Sequence, residues 1–384
     1  MAEPFKEFLN AERVRELAQH LERAGAHFPK RAFLGRVLPQ LDALELKARA
    51  MVIADALESA LPTDFDAAAR LIEQALAPVG VRADAPMMAP HAEGMSGWML
   101  WPVGEYVARR GLQAPERALR TLHALTQRFT AEWALRPFVM AHPALVFRTL
   151  ARWVDDPSEH VRRLVSEGTR PRLPWGLQLK PLIADPSPTL PLLEHLLDDP
   201  SEYVRRSVAN HINDVAKDHP VLVTKWVKRH LRGATAPRRA LLKHASRTLI
   251  KQGDRPMLEV WGMAARFAGS ATLTLSPTRI ALGGAVQLTL TLRSTARTAQ
   301  PLTIDYRLHH VKANGSTSPK VFKGWTVTVP PRGTITLSKR HAVRPITTRR
   351  YHAGRHLVDV QVNGSVLASA AFALRIPDGD SNAE

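Results

Sequence analysis

The sequence has 384 residues, of which 45% are hydrophobic and 23% are charged, and it contains no cysteine. This composition is typical of a folded protein with two or three domains, and it excludes disulfide scaffolds, thiol nucleophiles, iron–sulfur clusters and cysteine-ligated zinc. Lys and Arg number 53 against 35 Asp and Glu, so the formal net charge is +18 and an anionic polymer is the first partner to expect.

The positive charge is concentrated in the last two thirds of the chain. Residues 1–84 carry 11 basic and 13 acidic side chains, residues 85–269 carry 27 and 17, and residues 270–384 carry 15 and 5. The N-terminal segment has no apolar signal core, and no window approaches 18 apolar residues. We therefore expect a cytoplasmic protein without a membrane span.

Apolar residues recur with helical spacing up to about residue 265. In the first such stretch, Val14, Leu17 and Leu21 follow the i, i+3, i+7 pattern of an amphipathic helix. Similar stretches near 43–60, 65–77 and 116–129 predict further helices.

An internal repeat organises the helical part. The segment DDPSEHVRRLV at 155–165 returns as DDPSEYVRRSV at 198–208, with nine of eleven positions identical and an offset of 43 residues. This period is typical of HEAT or armadillo helix pairs, which bury their apolar faces by stacking on one another. In the shared turn, Asp-Pro favours turn initiation and Ser is suited to cap the next helix. With a weaker third unit at 236–242, the pattern predicts an α-solenoid of HEAT-like helix pairs over residues 1–267.

The first copy of the repeat departs from the second directly after the shared segment. Residues 207–214 continue as a helix, whereas residues 164–175 contain a Gly and two Pro that interrupt one. The broken stretch also holds Glu167, two Arg and Trp175. Glu167 is expected at the C-terminal end of a helix, where the helix dipole disfavours a negative charge. Because broken local rules are often found at functional sites, this segment is a candidate site.

After Gly269 the pattern changes to period-2 alternation. About seven short segments rich in Val, Leu, Thr and Ile are separated by Gly, Pro and Asn-Gly turns. Seven strands in roughly 105 residues are typical of an immunoglobulin-like antiparallel β-sandwich. We predict this sandwich over residues 270–376, followed by a frayed tail at 377–384, so that the chain is a multidomain protein with an α part followed by a β part.

Three segments carry a family resemblance: GWMLWPVGEYV at 97–107, TAEWALRPF at 130–138 and SEGTRPRLPW at 166–175. They resemble the AlkC branch of the DNA alkylation repair glycosylases, one subgroup of which carries a C-terminal immunoglobulin-like domain. The resemblance covers essentially the whole chain. It implies hydrolysis of the N-glycosidic bond of N3-alkylated bases, notably 3-methyladenine and 3-methylcytosine, in double-stranded DNA, without full extrusion of the base and without a metal or cofactor.

The resemblance also implies site residues. Glu132 and Glu167 would be the catalytic carboxylates, and Trp175 would be an aromatic wall. Without it, a surface or capping carboxylate at a helix start is the favoured interpretation of Glu132. For Trp175 the alternative is a core anchor after a Pro turn. Which glutamate positions the water stays open.

The chemistry is consistent with these residue types. An N3-alkylated base is cationic and leaves as a neutral molecule, so its excision needs little general-acid assistance. Carboxylates stabilise the cationic sugar and orient or deprotonate water, and an indole face favours positive charge. No motif singles out a Lys nucleophile, so we expect a monofunctional glycosylase.

Basic side chains at equivalent repeat positions are candidate phosphate contacts. For Arg162 and Arg205 the alternative is a structural ladder in which each pairs with a turn aspartate, Asp156 or Asp199. The predicted DNA contacts are Arg136, Arg163, Arg170, Arg172 and Arg206 in the helical part, and Lys339, Arg340, Arg344, Arg349 and Arg350 in the sandwich.

Further expectations concern packing, metals and assembly. The tryptophans at 98, 101, 133 and 153 are predicted to be packing residues, and the 16 His residues show no metal-ligand spacing, so we predict no metal site. We expect a monomer associated with the nucleoid, whose sandwich grips the duplex and completes a clamp with the solenoid. Two alternatives remain: a non-catalytic HEAT-repeat scaffold for nucleic acid, and a solenoid that binds an acidic protein partner.

Overall fold

The computed structural model describes residues 5–79, 92–263, 265–346 and 349–376. Within these ranges the chain forms 16 α-helices followed by eight β-strands, which confirms the predicted order of an α part and a β part. No helix in the described ranges is long and apolar enough to cross a membrane. The predicted frayed tail at 377–384 lies outside the described residues.

The chain divides into two compact units. The first comprises Met1–Asp218 and Gly233–Ala245, and the second comprises His219–Arg232 and Ser246–Glu384. The second unit therefore contains three helices that precede the predicted boundary at residue 267.

The helices vary from five to 15 residues in length. In chain order they are α1 Ala11–Ala24, α2 Lys30–Leu41, α3 Leu46–Ala60, α4 Phe65–Ala75, α5 Leu100–Arg110, α6 Pro115–Thr126, α7 Glu132–Ala141, α8 Pro143–Trp153, α9 Glu159–Gly168, α10 Lys180–Ala184, α11 Leu190–His195, α12 Glu202–Val215, α13 Pro220–Leu231, α14 Ala236–Ala245, α15 Arg247–Gln252 and α16 Arg255–Val260.

The first helix shows how the sequence pattern becomes structure. Val14, Leu17 and Leu21 of α1 are buried on one face, as their spacing predicts. The side chain of Asn10 accepts a hydrogen bond from the backbone N–H of Arg13 at 3.0 Å, which satisfies one of the open donors at the helix start.

Helices of the first unit pack in a row that sets the position of the candidate site. Helix α3 contacts α5, α5 contacts α7, α7 contacts α9, α9 contacts α12, and α12 contacts α14. This row places the start of α7, the end of α9 and the middle of α12 beside one another.

Both repeat copies begin with the same turn, but its capping differs from the prediction. Neither Ser158 nor Ser201 caps its helix with its hydroxyl. Instead, the carboxylates of Asp156 and Asp199 accept the backbone N–H groups of these serines, each at 2.8 Å. A carboxylate that bonds the N–H two residues ahead forms an Asx turn, which explains why the aspartate recurs in both copies.

The interruption of the first copy is confirmed. Helix α9 ends at Gly168 after ten residues, whereas the equivalent α12 runs for 14 residues to Val215. Residues 169–179, here called the Trp175 segment, follow α9 without helix or strand.

In the second unit, the strands form two sheets. One sheet has the order β1-β3-β6 and the other β2-β8-β7-β4-β5, with antiparallel pairing except for the parallel β2 and β8. Seven strands correspond to the predicted ones, and the additional β2 has three residues. The strands are β1 Gly269–Ser276, β2 Arg279–Ala281, β3 Ala285–Ser294, β4 Gln300–Val311, β5 Thr317–Val329, β6 Thr334–Ala342, β7 Gly354–Val362 and β8 Ser365–Arg375.

Alternating side chains of the two sheets share one core. In β3, Val286, Leu288, Leu290 and Leu292 are fully buried, while the residues between them are partly exposed. They pack with Ile304 and other inward residues of the second sheet. This is the arrangement of a β-sandwich, reached here without a disulfide.

Candidate active site

Two glutamates 35 residues apart in sequence are joined by one arginine. Glu132 begins α7 and Glu167 lies at the penultimate position of α9, and they are 7% and 4% exposed. Arg163 places Nη1 2.8 Å from Oε2 of Glu132 and Nη2 3.7 Å from Oε1 of Glu167. The structure therefore brings together the two carboxylates that the sequence singled out, here called the carboxylate pair.

Glu132 is held on one side by a hydroxyl. Thr130 Oγ1 donates to Oε2 of Glu132 at 2.6 Å and accepts from Nη1 of Arg163 at 3.1 Å. Glu132 also lies in the first turn of α7, where the helix dipole favours a negative charge. Its burial is inconsistent with the alternative of a surface carboxylate.

Glu167 receives donors on both oxygens. Arg170 Nη1 donates to Oε1 at 2.5 Å, and Ser207 Oγ donates to Oε2 at 2.5 Å. Burial by itself raises the pKa of Glu167, but the charges of Arg163 and Arg170 and the Ser207 hydrogen bond outweigh it, so the pKa lies below its ordinary value. Glu167 is therefore ionised at neutral pH, although it occupies the unfavourable end of its helix.

The arginines around the pair are internal ion-pair partners. Arg170 is 8% exposed and also donates through Nε to Asp214 at 2.8 Å, while Asp214 accepts from Lys217 at 2.9 Å. Arg163 and Arg170, both predicted as phosphate contacts, are engaged with carboxylates in this structure, Arg170 buried and Arg163 partly exposed. A contact with phosphate would break their buried bonds to carboxylates and leave those charges unpaired.

Arg136 lies beneath the Trp175 segment and does not reach the surface. Its Nη1 donates to the carbonyls of Gly168 at 3.0 Å and Arg170 at 2.8 Å, Nη2 lies 3.4 Å from the carbonyl of Pro171, and Nε donates to the carbonyl of Leu177. Burial, helped by the charge of Arg170, lowers the pKa of Arg136 to about 10. The guanidinium is fully buried and bonded to backbone carbonyls, so it presents no accessible donor for the DNA contact that the sequence predicted.

Trp175 projects from this anchored segment. Its side chain is 54% exposed, and its φ of +61° lies in the left-handed region that residues with a side chain rarely adopt. Backbone strain of this kind persists only where the surroundings enforce it, and it is concentrated at functional sites. The exposure of Trp175 does not fit the alternative of a core anchor.

An aromatic stack supports the indole of Trp175. Its ring lies parallel to Trp101 at 6.1 Å between centroids, and Trp101 stacks on Trp133 at 4.6 Å. Trp101 is buried, and Trp133 donates through Nε1 to the carbonyl of Pro174 at 3.2 Å. Since Trp133 follows Glu132 in the chain, the stack links the Trp175 segment to the carboxylate pair.

Of the two arginines predicted to pair with a turn aspartate, Arg162 does so and Arg205 does not. Arg162 bonds the buried carboxylate of Asp199, in the following repeat unit, through Nε at 2.6 Å and Nη2 at 3.0 Å. Arg205 donates instead to the backbone carbonyls of Asp199 and Pro200 in its own turn.

Two of the predicted DNA contacts in the helical part reach solvent. Arg172 is partly exposed and bonds Asp218 at 2.8 and 3.0 Å, and Arg206 is exposed and bonds Glu202 at 2.7 Å. Exposed pairs of this kind are weak, so both guanidinium groups are accessible to a phosphate.

In the sandwich, the five predicted contacts fall into two groups. Lys339 donates to the carbonyl of Lys323 at 2.8 Å, and Arg349 bonds Nε2 of His310, so both have partners within their own unit. The other three, here called the sandwich arginines, are exposed: Arg340, Arg344 and Arg350.

Sequence reasoning missed Ser207 and Asp214, which bond the site from α12. Both are buried polar residues in a helix that also buries Val208 and Ile212. That signal is present in the sequence but becomes informative only when the neighbouring helix is known. Among the described residues, no group of three or more His, Asp or Glu could hold a metal ion.

Comparisons with known proteins agree with this geometry. Residues 126–249 match the family model described as DNA alkylation repair enzyme, and residues 269–376 match that of the C-terminal Ig-like domain of uncharacterised protein YhaZ. The uncharacterized protein YhaZ of Bacillus subtilis (strain 168) is 35% identical over 369 residues, which cover 96% of this chain and 98% of YhaZ.

A solved structure extends the match to the whole architecture. The alkylpurine DNA glycosylase AlkC of Pseudomonas fluorescens, bound to DNA containing an abasic site analog, is 33% identical with a TM-score of 0.85. The match covers 97% of this chain and 100% of that AlkC chain. The chain belongs to the AlkC-type family of DNA alkylation repair proteins. The carboxylate pair and Trp175 all lie within the segment that matches the DNA alkylation repair model.

Proposed function

We propose that this AlkC-family protein is a monofunctional DNA glycosylase that hydrolyses the N-glycosidic bond of cationic N3-alkylated bases, such as 3-methyladenine and 3-methylcytosine, in double-stranded DNA. The observation that carries the proposal is the buried carboxylate pair joined by Arg163 in the segment that matches the DNA alkylation repair model. The likeness to an alkylpurine DNA glycosylase bound to abasic DNA supports it.

The protonation state of Glu167 suits this substrate class. A cationic base leaves as a neutral molecule and needs no proton, whereas a neutral base such as uracil needs acid assistance. Because the pKa of Glu167 is lowered, its carboxylate is ionised and supplies negative charge instead of a proton. We therefore expect release of N3-methylated bases and no release of uracil or hypoxanthine.

The carboxylate pair stabilises the sugar as the glycosidic bond breaks. Positive charge develops on the deoxyribose, and fixed carboxylates oppose it without having to reorganise. One of the two also orients the attacking water. Arg163 keeps the two negative charges at a constant separation and so prevents their mutual repulsion from moving them apart.

Trp175 provides the aromatic wall. Its exposed indole presents a π face that favours the cationic base and sugar, and the stack on Trp101 and Trp133 keeps that face in a constant orientation.

Binding of the duplex depends on charge outside the carboxylate pair. In the first unit Arg172 and Arg206 are accessible to phosphates, and in the second unit the sandwich arginines are exposed. These groups supply a sequence-independent attraction to DNA, as a repair protein that scans for rare lesions requires.

A base-release assay tests the function. Purified protein is incubated with duplex DNA containing N3-methyl bases, and free base is measured by chromatography and mass spectrometry. Glu167→Gln should lower the single-turnover rate by about 100-fold or more, because a charge that acts in the transition state is removed. Binding to abasic DNA should stay within about twofold of wild type, because the buried residue does not contribute to the general phosphate contacts.

The matched control is Glu202→Gln, which removes an exposed carboxylate at the start of α12. It should release base at the wild-type rate. DNA binding without release by the wild-type protein would favour the non-catalytic HEAT-repeat scaffold. A Glu167→Gln variant with the wild-type rate would refute the assignment of Glu167.

A further inference from the structure

The two positions at which the repeat copies differ lie beside the carboxylate pair. Among the eleven aligned positions, His160 corresponds to Tyr203 and Leu164 corresponds to Ser207, and the other nine are identical. Tyr203 and Ser207 are four residues apart in α12, so they lie on the same face of that helix. Helix α12 packs on α9, which carries Glu167.

Ser207 belongs to a buried chain of hydroxyl groups that ends on Glu167. Its Oγ donates to Oε2 of Glu167 at 2.5 Å and accepts from Oγ of Ser166 at 2.6 Å. Both serines are buried, at 2% and 0% exposure. The only hydroxyl hydrogen of Ser207 is therefore directed at the carboxylate, a bond that the leucine of the first copy could not make.

Tyr203 contacts the arginine that joins the pair. The guanidinium carbon of Arg163 lies 4.7 Å from the centre of the Tyr203 ring. A planar guanidinium over a ring is restrained in its orientation, and Arg163 presents its two nitrogens to Glu132 and Glu167.

These contacts divide the repeat into two classes of position. Most of the nine shared residues serve the turn or the packing of helices, as Asp199 and Val204 do, whereas the shared Arg163 joins the carboxylate pair in the first copy alone. At the two positions that differ, Tyr203 contacts Arg163 and Ser207 contacts Glu167. Both partners lie in the neighbouring helix α9 and belong to the candidate active site.

We infer that Tyr203 and Ser207 are positioning residues of the site: Ser207 orients the Glu167 carboxylate through Oε2, and Tyr203 orients the Arg163 guanidinium that joins the two glutamates. The inference rests on the proposed glycosylase function. It adds that the second repeat copy, which supplies neither of the two proposed catalytic glutamates, sets the geometry of the first.

Substitutions at Ser207 separate hydrogen bonding from packing. Ser207→Ala removes the hydroxyl, whereas Ser207→Thr keeps it. Ser201→Ala is a matched control, because Ser201 also donates its hydroxyl to a carboxylate across the two copies, that of Glu159, but at an exposed position. Single-turnover base release is measured from pH 4 to pH 8 with spontaneous release subtracted, together with binding to abasic DNA.

Ser207→Ala should lower the rate about tenfold while DNA affinity stays within about twofold, because the lost bond is to a charged group inside the site. In the pH–rate profile of Ser207→Ala, the fall in rate at acid pH should begin about one pH unit higher, since the ionised form of Glu167 loses a hydrogen-bond donor. Ser207→Thr and Ser201→Ala should match wild type. An unchanged rate and pH profile in Ser207→Ala, or an equal loss in Ser207→Thr, would overturn the role of Ser207.

Tyr203 is tested in the same way. Tyr203→Phe keeps the ring over Arg163 and should retain the wild-type rate, whereas Tyr203→Leu should lose about tenfold. Equal rates for these two variants would show that the ring does not position Arg163.

A readout independent of catalysis distinguishes failure of this inference from failure of the proposed function. The titration of Glu167 is followed by carbon-13 NMR of glutamate-labelled protein, with the resonance assigned by its loss in Glu167→Gln. In Ser207→Ala the midpoint should rise by about one pH unit, and in Ser207→Thr it should not. If wild type releases no base, the glycosylase proposal fails, and this titration still decides whether Ser207 controls Glu167.

Discussion

Replacement of Arg136 by lysine should free the Trp175 segment from the helices beneath it. The planar guanidinium of Arg136 bonds carbonyls on both sides of Trp175, from Gly168 to Leu177, and is fully buried. An ammonium group directs its donors from a single point, so it cannot serve both sides of the segment at once. The helices themselves should remain folded, because the substitution keeps the charge and most of the apolar stem.

The expected magnitude follows from the bonds that are lost. Lysine retains about one of the three shorter bonds, and each lost bond between a cation and a carbonyl is worth about 1.5–3 kcal/mol. The loss therefore amounts to about 3–6 kcal/mol. The left-handed backbone of Trp175, which costs about 1–3 kcal/mol in wild type and variant alike, favours the same opening. The segment should therefore open locally, and the rate of base release should fall at least tenfold.

Fluorine NMR of protein labelled with 5-fluorotryptophan reports the segment directly. The Trp175 resonance is identified by its loss in Trp175→Phe, and in Arg136→Lys it should shift and narrow as the indole leaves Trp101. Arg128→Lys is the matched control, since Arg128 also bonds backbone carbonyls, those of Ala77 and Ala124. An unchanged Trp175 resonance and rate in Arg136→Lys would refute the anchoring role.

Three further predictions concern the ladder, the pH dependence of stability and the sandwich. Arg162→Met should destabilise the first unit by about 2 kcal/mol more than Arg205→Met, because only Arg162 neutralises the buried carboxylate of Asp199; equal urea midpoints would contradict this. Burial lowers the pKa of His211 to about 4, so its contribution to stability is present above about pH 6.5 and is lost as the pH falls towards 4. Between pH 7 and pH 5 the loss is about 2 kcal/mol, and denaturation of His211→Gln should lack that part of the pH dependence. Replacement of all three sandwich arginines by glutamine should reduce the slope of log Kd against log salt by about 2–3, and an unchanged slope would show that they do not contact phosphates.

The fold could be predicted in outline because its signals are local. Helical periodicity depends on residues three and four apart and strand alternation on residues two apart, and the repeat is visible as an eleven-residue segment that recurs. The interruption after Glu167 was visible for the same reason, since Gly and Pro restrict the backbone wherever they occur. The serine caps were predicted wrongly because turn geometry decides which side chain bonds an N–H at the helix start: the aspartates accept the N–H groups of the serines, and the serine hydroxyls cap no helix N–H.

Charge alone could not reveal which arginines are exposed. Arg136, Arg163 and Arg170 have the same chemistry as Arg172 and Arg206, and the sequence provides no measure of their burial. Only the packing of α7 on α9 and of α9 on α12 decides that the first three bond carbonyls and carboxylates inside the protein.

The sequence alone therefore identified the α part followed by the β part, the repeat, and the glutamates and tryptophan of the candidate site. Each of these is recognised from neighbouring residues or from a family motif. The partners of those residues come from segments about 30 to 45 residues away, such as Ser207 for Glu167 and Arg136 for the Trp175 segment. Because contacts at that separation form only when the helices stack, the tertiary structure decided which charges are buried and paired, and which remain exposed to solvent.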